Sequence, residues 1–349
     1  MKDANIKTIW PLIGNSHISE YLKKSIISGH VAGTYIFSGL NDLGKATTAK
    51  YFAKILLCQS GERDKSGEPC GVCPSCRIFD RAKDNASDLA GLHGDFHLIK
   101  RAEGKKNITI EQVREFINKL SLGSFLNSYK VGIIKNAENL SIEAANALLK
   151  TLEEPKKKVV IILTVSSAEL LPPTIISRSM VLRFRPVSFG EIHDYLVENF
   201  NITRSSAKHL AHASLGRPAL AAKLCEDKEY HAKYVETASS FLLASLKDLN
   251  ERILIVESLV DKVKSDDLAV GTKGILDIWT GVVRDLMLLN NGVGELTQND
   301  FMQKELARTG SKYSAAKLVR LYEALAKAKA YVNANVSPRL VLENVMMQL

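Results

Sequence analysis

The run SGLNDLGKATTAK at residues 38–50 places Gly39, Gly44 and Lys45 at the spacing of a phosphate-binding loop. Such a loop reads G-x-x-x-x-G-K-[ST]. Its backbone N–H groups cradle phosphate oxygens, its lysine reaches the terminal phosphates, and its hydroxyl ligates Mg²⁺. Here Ala46 holds the hydroxyl position and Thr47 comes one residue late. One step along a helix swings a side chain by about 100°, so Thr47 is expected to miss the metal. Asp42 puts a carboxylate inside the anion-binding loop, where it opposes phosphate charge. A working site also needs an acidic pair closing a central strand, one carboxylate organising Mg²⁺ and the other activating water. The strand VGII (131–134) is followed instead by Lys135 and Asn136, neither of which binds a divalent cation as a carboxylate does. Glu138, three residues past Lys135, reads as a surface charge rather than a displaced base. The loop keeps the frame of a nucleotide site without its metal chemistry.

Four cysteines form a second constellation. Cys58, Cys70, Cys73 and Cys76 have the spacing C-x11-C-x2-C-x2-C, and CGVCPSC carries turn residues that let thiolates converge on one Zn²⁺. Four thiolates close the coordination sphere, so the expected metal is structural. In a reducing cytosol disulfides are a poor alternative. His93 and His97 read as ordinary histidines beside a strand, and Cys225 as a buried, inert thiol.

The elements that must position these residues follow from periodicity. TYIFSG (34–39), DFHLIK (95–100), KVGIIK (130–135), VVIILTV (159–165) and MVLRF (180–184) read as strands. Between them lie amphipathic helices: one with Ile18, Tyr21, Leu22 and Ile26 on a face, TTAKYFAKILLC (47–58), and ITIEQVREFINKLSL (108–122). A further helix is capped by Ser141, striped by Ile142, Ala145, Leu148, Leu149 and Leu152, and stopped by Pro155. Strands alternating with helices predict a parallel α/β sheet over 1–185, with the cysteine module at about 58–76 as an insertion. Past Pro186 strand signals vanish. Short helices over 186–231, with Pro218 opening one, and long helices over 232–349 predict a helical lid domain and a helical bundle.

At 349 residues the chain is long for a single core, and its 46% apolar share is ample for packing. No segment has the bias of disorder, a signal peptide or a membrane span; VVIILTV is too short to cross a bilayer. A soluble, cytoplasmic protein is expected. The net charge of +9 points to a polyanionic partner, nucleic acid above all.

The segments TYIFSGLNDLGKATTAKYFAKILLC, PCGVCPSC, NALLKTLEEP, LLPPTIISRS and the final NANVSPRLVLENVMMQL resemble successive signatures of the bacterial clamp-loader AAA+ family of DNA polymerase III. The departures at Asp42, Ala46, Lys135 and Asn136 resemble its delta-prime branch, which often has a degraded nucleotide site, rather than the gamma/tau branch. The resemblance implies a RecA-like AAA+ domain, a lid and an oligomerising collar. It also implies a hetero-pentameric ring with gamma/tau and delta subunits, acting on a sliding clamp and primed DNA. ATP would sit at subunit interfaces but not in this chain's own site. The family's Ser-Arg-Cys motif, whose arginine projects into a neighbour's site, corresponds to Ser177-Arg178-Ser179. Always charged and forked, a guanidinium suits a γ-phosphate. Arg217 falls near the family's nucleotide-sensing arginine and Ser166 near its first sensor, both with a structural role expected here. Lys156, Lys157 and Lys158 are candidates for DNA-phosphate contact. Two other readings use the same residues: a gamma-like ATPase with a variant loop, and a zinc-containing nucleic-acid-binding module with a vestigial AAA+ core.

Overall fold

A computed structural model describes residues 10–82, 91–102, 104–124, 129–154, 156–263, 268–334 and 336–349. The chain divides into two compact units, Met1–Ser188 and Phe189–Leu349. Among the described residues no helix is long and apolar enough to cross a membrane.

The first unit is built on a five-stranded sheet of β1 (Thr34–Ser38), β2 (Phe96–Ile99), β3 (Lys130–Ile134), β4 (Val159–Val165) and β5 (Met180–Arg183), in the order β2-β3-β4-β1-β5. Every pairing is parallel, with Ile36 opposite Leu163 on one side and Val181 on the other. Successive side chains leave a strand on opposite faces, and each face here is buried. Tyr35, Phe37, Val131, Ile133, Val160 and Ile162 join one core with the helices Ser16–Ile27 and Lys45–Leu56. Ile36, Ile134, Ile161, Leu163 and Val165 join the other, with Ile110–Ser121 and Ile142–Glu153. This two-sided burial explains why the strands read as unbroken apolar runs.

Local chemistry fixes the helix starts. Thr109 and Gln112 form a reciprocal capping box, and the Ser141 side chain accepts the Ala144 N–H. The stripe expected on Ile142–Glu153 needs one correction. Ala145, Leu148 and Leu152 are buried, but Ile142 is 78% exposed, because this first residue precedes the turn that packs. Pro155, expected to stop that helix, lies outside the described residues.

The second unit is helical throughout its described residues. Phe189–Phe200 buries Ile192 and Leu196; Arg204–Ser214 ends where Leu215 and Gly216 turn left-handed; Pro218–Glu226 starts on its proline. The longer helices Lys228–Ala244, Leu249–Asp261, Leu268–Asn290, Ala315–Asn333 and Pro338–Met347 enclose a core that includes Trp279. A buried polar knot ties short helices to long ones. The Asp285 carboxylate accepts the backbone N–H groups of Gln298 and Asn299, each at 2.8 Å, and the Gln298 amide donates to the Ala213 carbonyl.

Candidate functional site

The phosphate-type loop follows β1 at the carboxyl edge of the sheet. Gly39 has φ of 150°, and a Cβ there would meet the Phe184 carbonyl oxygen at 2.6 Å, so only glycine fits. Leu43 is anchored in the core, and Gly44, left-handed at φ 87°, opens the helix Lys45–Leu56. Ala46 and Thr47 are exposed. Thr48 is fully buried, and its hydroxyl donates to the Gly44 carbonyl at 2.9 Å. Lys45 is only 7% exposed; its ammonium donates to the Gly39 carbonyl and, at 2.5 Å, to that of Leu40.

Beside the loop, Lys135 is exposed and its N–H extends the sheet to the Ile99 carbonyl, while Asn136 turns left-handed with its N–H on the Thr164 hydroxyl. The expected surface charge at Glu138 is corrected. The left-handed Asn136 and the single 3-10 turn Ala137–Asn139 fold the chain back, so that one Glu138 oxygen accepts the Ser166 N–H at 3.2 Å. The other oxygen is buried with no hydrogen-bond partner among the described residues. Burial pulls the Lys45 ammonium down to about 8, against the raising influence of Glu138 and Asp42.

This depression has a measurable sign. The folded value lies below the ordinary 10.5, so the unfolded chain binds more protons between about pH 8 and pH 10.5. The contribution of Lys45 therefore becomes more favourable as the pH climbs through that window. In urea unfolding, the natural chain is expected to gain roughly 2 kcal/mol on a Lys45→Met variant between about pH 7 and pH 10. A difference that stays flat would contradict the burial of a charged lysine here.

The four cysteines converge as their spacing predicted. Cys58 follows the end of the loop helix, and Cys73 caps the helix Pro74–Arg81, whose first residue is proline. All four sulfurs lie within 4.8 Å of one another, with Cys58 and Cys73 at 4.0 Å. Tetrahedral Zn–S bonds of about 2.3 Å require sulfurs about 3.8 Å apart, so the cluster fits a zinc ion closely. The N–H groups of Cys70, Cys73 and Cys76 donate to the sulfurs of Cys58, Cys70 and Cys73, each at 3.4 Å, which favours thiolates. Burial raises the Cys58 and Cys76 thiols; at Cys70 burial is outweighed by N–H donors, which bring it down to about 6. Cys225 is half-buried and outside the cluster.

Sequence reasoning missed how this module is seated. His93 is buried, with one ring nitrogen 3.0 Å from the Ser75 hydroxyl and the other accepting the Asp95 N–H. Ser75 sits between two cysteines and Asp95 leads into β2, so a histidine outside the cysteine cluster joins module to sheet.

Arg178 follows the short helix Pro173–Ile176 and precedes β5. Because the strands are parallel, it lies at the amino edge of the sheet, opposite the loop of Lys45. It is exposed, pairs with Glu153 at 2.9 Å and donates to the Thr174 carbonyl at 3.0 Å. Arg217 lies in the second unit, where it heads the helix Pro218–Glu226 and its guanidinium donates to the Ser214 carbonyl. Lys156 donates to the Ser121 carbonyl, the last residue of the helix Ile110–Ser121; Lys157 and Lys158 are exposed. All three precede β4, again at the amino edge. Sequence reasoning also passed over Lys100, Lys105 and Lys106, which are exposed just after β2 at the carboxyl edge.

A family model described as "DNA polymerase III, delta subunit" matches residues 14–188. The delta' subunit of DNA polymerase III from Pseudomonas aeruginosa is 26% identical over 321 residues, covering 91% of both chains. That of Bacillus subtilis is 26% identical over 337 residues, covering 95% of both. The tau subunit of Bacillus subtilis is 30% identical over 177 residues, which is 51% of this chain and 29% of tau. The chain thus spans less than a third of the length of the first tau subunits it matches.

Proposed function

Because this chain belongs to the DNA polymerase III delta subunit family, among bacterial clamp-loader AAA+ proteins and most like delta', we propose that it is a non-hydrolysing subunit of a clamp loader, supplying Arg178 to the ATP site of a neighbouring gamma/tau-type subunit. One observation carries this reading: the exposed Arg178 and the chain's own loop lie at opposite edges of one parallel sheet. In a ring of such units the amino edge of one can meet the nucleotide of the next. The chain's own loop lacks the hydroxyl at Ala46 and the carboxylates at Lys135 and Asn136, so turnover belongs to the neighbour. Gly39, Gly44, Lys45 and Thr47 are retained as scaffold, and Arg217 as the head of its helix. Cys58, Cys70, Cys73 and Cys76 hold a structural zinc ion, which cross-links the insertion.

The partners follow from this reading: gamma/tau and delta subunits in a hetero-pentamer, with the second unit's helices as lid and collar, a sliding clamp and primed DNA. Co-purification tests it. The full chain mixed with gamma/tau and delta subunits should elute as one complex. A chain that elutes alone and by itself binds DNA tightly would instead support the zinc-dependent nucleic-acid-binding module.

For DNA contact the carboxyl edge is favoured, since ligands of open α/β sheets bind beyond the carboxyl ends of strands. Lys105→Glu with Lys106→Glu is expected to weaken DNA binding by the assembled loader and to flatten the salt dependence by roughly one unit of slope per lysine. Lys157→Glu with Lys158→Glu, at the other edge, serves as the comparison. A loss confined to this second pair would return the contact to the run that the sequence nominated.

A further inference from the structure

A path of buried polar contacts runs from the cysteine module into the first unit's sheet. Ser75 stands between Cys73 and Cys76, with its hydroxyl oxygen 3.0 Å from one ring nitrogen of His93, and the other ring nitrogen accepts the Asp95 N–H at 3.2 Å. A backbone N–H can only donate, so that second nitrogen bears no proton; the ring is neutral and donates its N–H to Ser75. Beyond His93 the path continues through charge. The Asp95 carboxylate faces the Lys130 ammonium at 3.9 Å, the two side chains being 0% and 3% exposed, and its other oxygen accepts the Ser124 hydroxyl at 2.8 Å. Lys130 in turn donates at 2.8 Å to the Lys119 carbonyl, in the last turn of the helix Ile110–Ser121. A cation suits that place, since the last carbonyls of a helix lack partners within it and carry partial negative charge. Phe79 of the helix Pro74–Arg81 flanks the path, edge-on to His93 and to Phe96 with ring centres 5.9 Å and 5.5 Å away.

We propose that the cysteine module, when it holds its metal, and the end of the helix Ile110–Ser121 form one cooperative unit, coupled through Ser75, His93, Asp95 and Lys130. This rests on the zinc centre proposed above, and it is independent of what Arg178 does.

Burial makes the path stiff. A charge that loses its partner away from water is costly, so Asp95 and Lys130 tolerate little displacement. Their backbones are tied as closely: the Asp95 carbonyl accepts the Val131 N–H at 2.9 Å, and the Lys130 N–H donates to the Lys158 carbonyl at 2.7 Å. Ligated cysteines on either side fix Ser75 at the other end. Once they are free, His93 loses its fixed acceptor, Asp95 loses the ring that holds its N–H, and the ion pair that supports the last turn of Ile110–Ser121 is loosened.

Hydrogen exchange read by mass spectrometry on the full natural chain, with zinc bound and after chelation, tests this. Removing zinc is expected to speed exchange about tenfold at the end of the helix Ile110–Ser121, the worth of one lost hydrogen bond to a charged group, while the helix Ile142–Glu153 keeps its protection. Ser75→Ala keeps all four cysteines and should still bind zinc. Its helix end should exchange with zinc as fast as that of the natural chain does without, and chelation should add little. Lys130→Met cuts the far end of the path and should likewise remove the response; Ser75→Ala, a small change at the module, decides the matter if Lys130→Met does not fold. Exchange quickened only within residues 58–82, or equally in Ile142–Glu153, would overturn the coupling, as would a Ser75→Ala chain that responds to chelation like the natural one. Those results leave the zinc centre standing, whereas a natural chain that purifies without zinc would sink the centre and the coupling with it.

Discussion

Replacing Arg178 with alanine is expected to leave the clamp loader assembled and to cut ATP turnover at the interface this chain completes by on the order of 10³-fold, the usual worth of an arginine at a transferring phosphoryl group. Total turnover by the loader should fall by at least that interface's share, and further if its sites fire together. Arg178 stands ahead of β5 at the amino edge of the sheet. Its guanidinium is exposed, and Glu153 and the Thr174 carbonyl hold it in the isolated chain. An exposed ion pair of this kind is worth about 0–1 kcal/mol, so a phosphate can displace the carboxylate cheaply. For the same reason Arg178→Ala should barely change the stability of the isolated chain. Steady-state hydrolysis by the reconstituted loader, with assembly checked by gel filtration, measures the effect; unchanged turnover would refute a role in trans.

The second large effect is expected at the cysteines. Cys73→Ser takes one thiol from the four-cysteine cluster, while the serine hydroxyl can still cap the helix Pro74–Arg81, so the loss reads on the metal rather than on the cap. Metal analysis should fall from one zinc per chain to nearly none, and the unfolding temperature of the natural chain should drop by roughly 10 °C in the variant. The loss should spread beyond the insertion, because Ser75 in the same turn carries the buried contact to His93 and thereby to the start of β2. Chelation of the natural protein should reproduce the drop, and added zinc should reverse it. A natural chain that is metal-free and equally stable would refute the zinc centre.

The parts of this protein that were legible in its sequence share a cause. β1, β3 and β4 are buried on both faces, so they announce themselves as apolar runs. The four cysteines are close in the chain as well as in space, so their spacing was enough to group them. What escaped depends on backbone turns that spacing does not reveal. Glu138 looked like a surface charge because its return toward Ser166 is made by the left-handed Asn136 and one 3-10 turn. His93 gave no sign of its tie to Ser75, eighteen residues earlier. Ile142 fitted a stripe by periodicity, but a helix's first turn can stand clear of the sheet that buries the rest. Lys156 was grouped with its two neighbours, yet it caps a helix that ends thirty-five residues before it. Arg178 was named from resemblance; what the structure adds is its place, exposed ahead of β5 at the amino edge of a parallel sheet and so at the opposite edge from the loop after β1.

ATP turnover with and without this chain tests the central claim most directly. The isolated chain should hydrolyse no ATP, and adding it to gamma/tau and delta subunits should raise their turnover in a way that depends on Arg178. Hydrolysis by the isolated chain, or a loader that turns over equally well without it, would contradict the account.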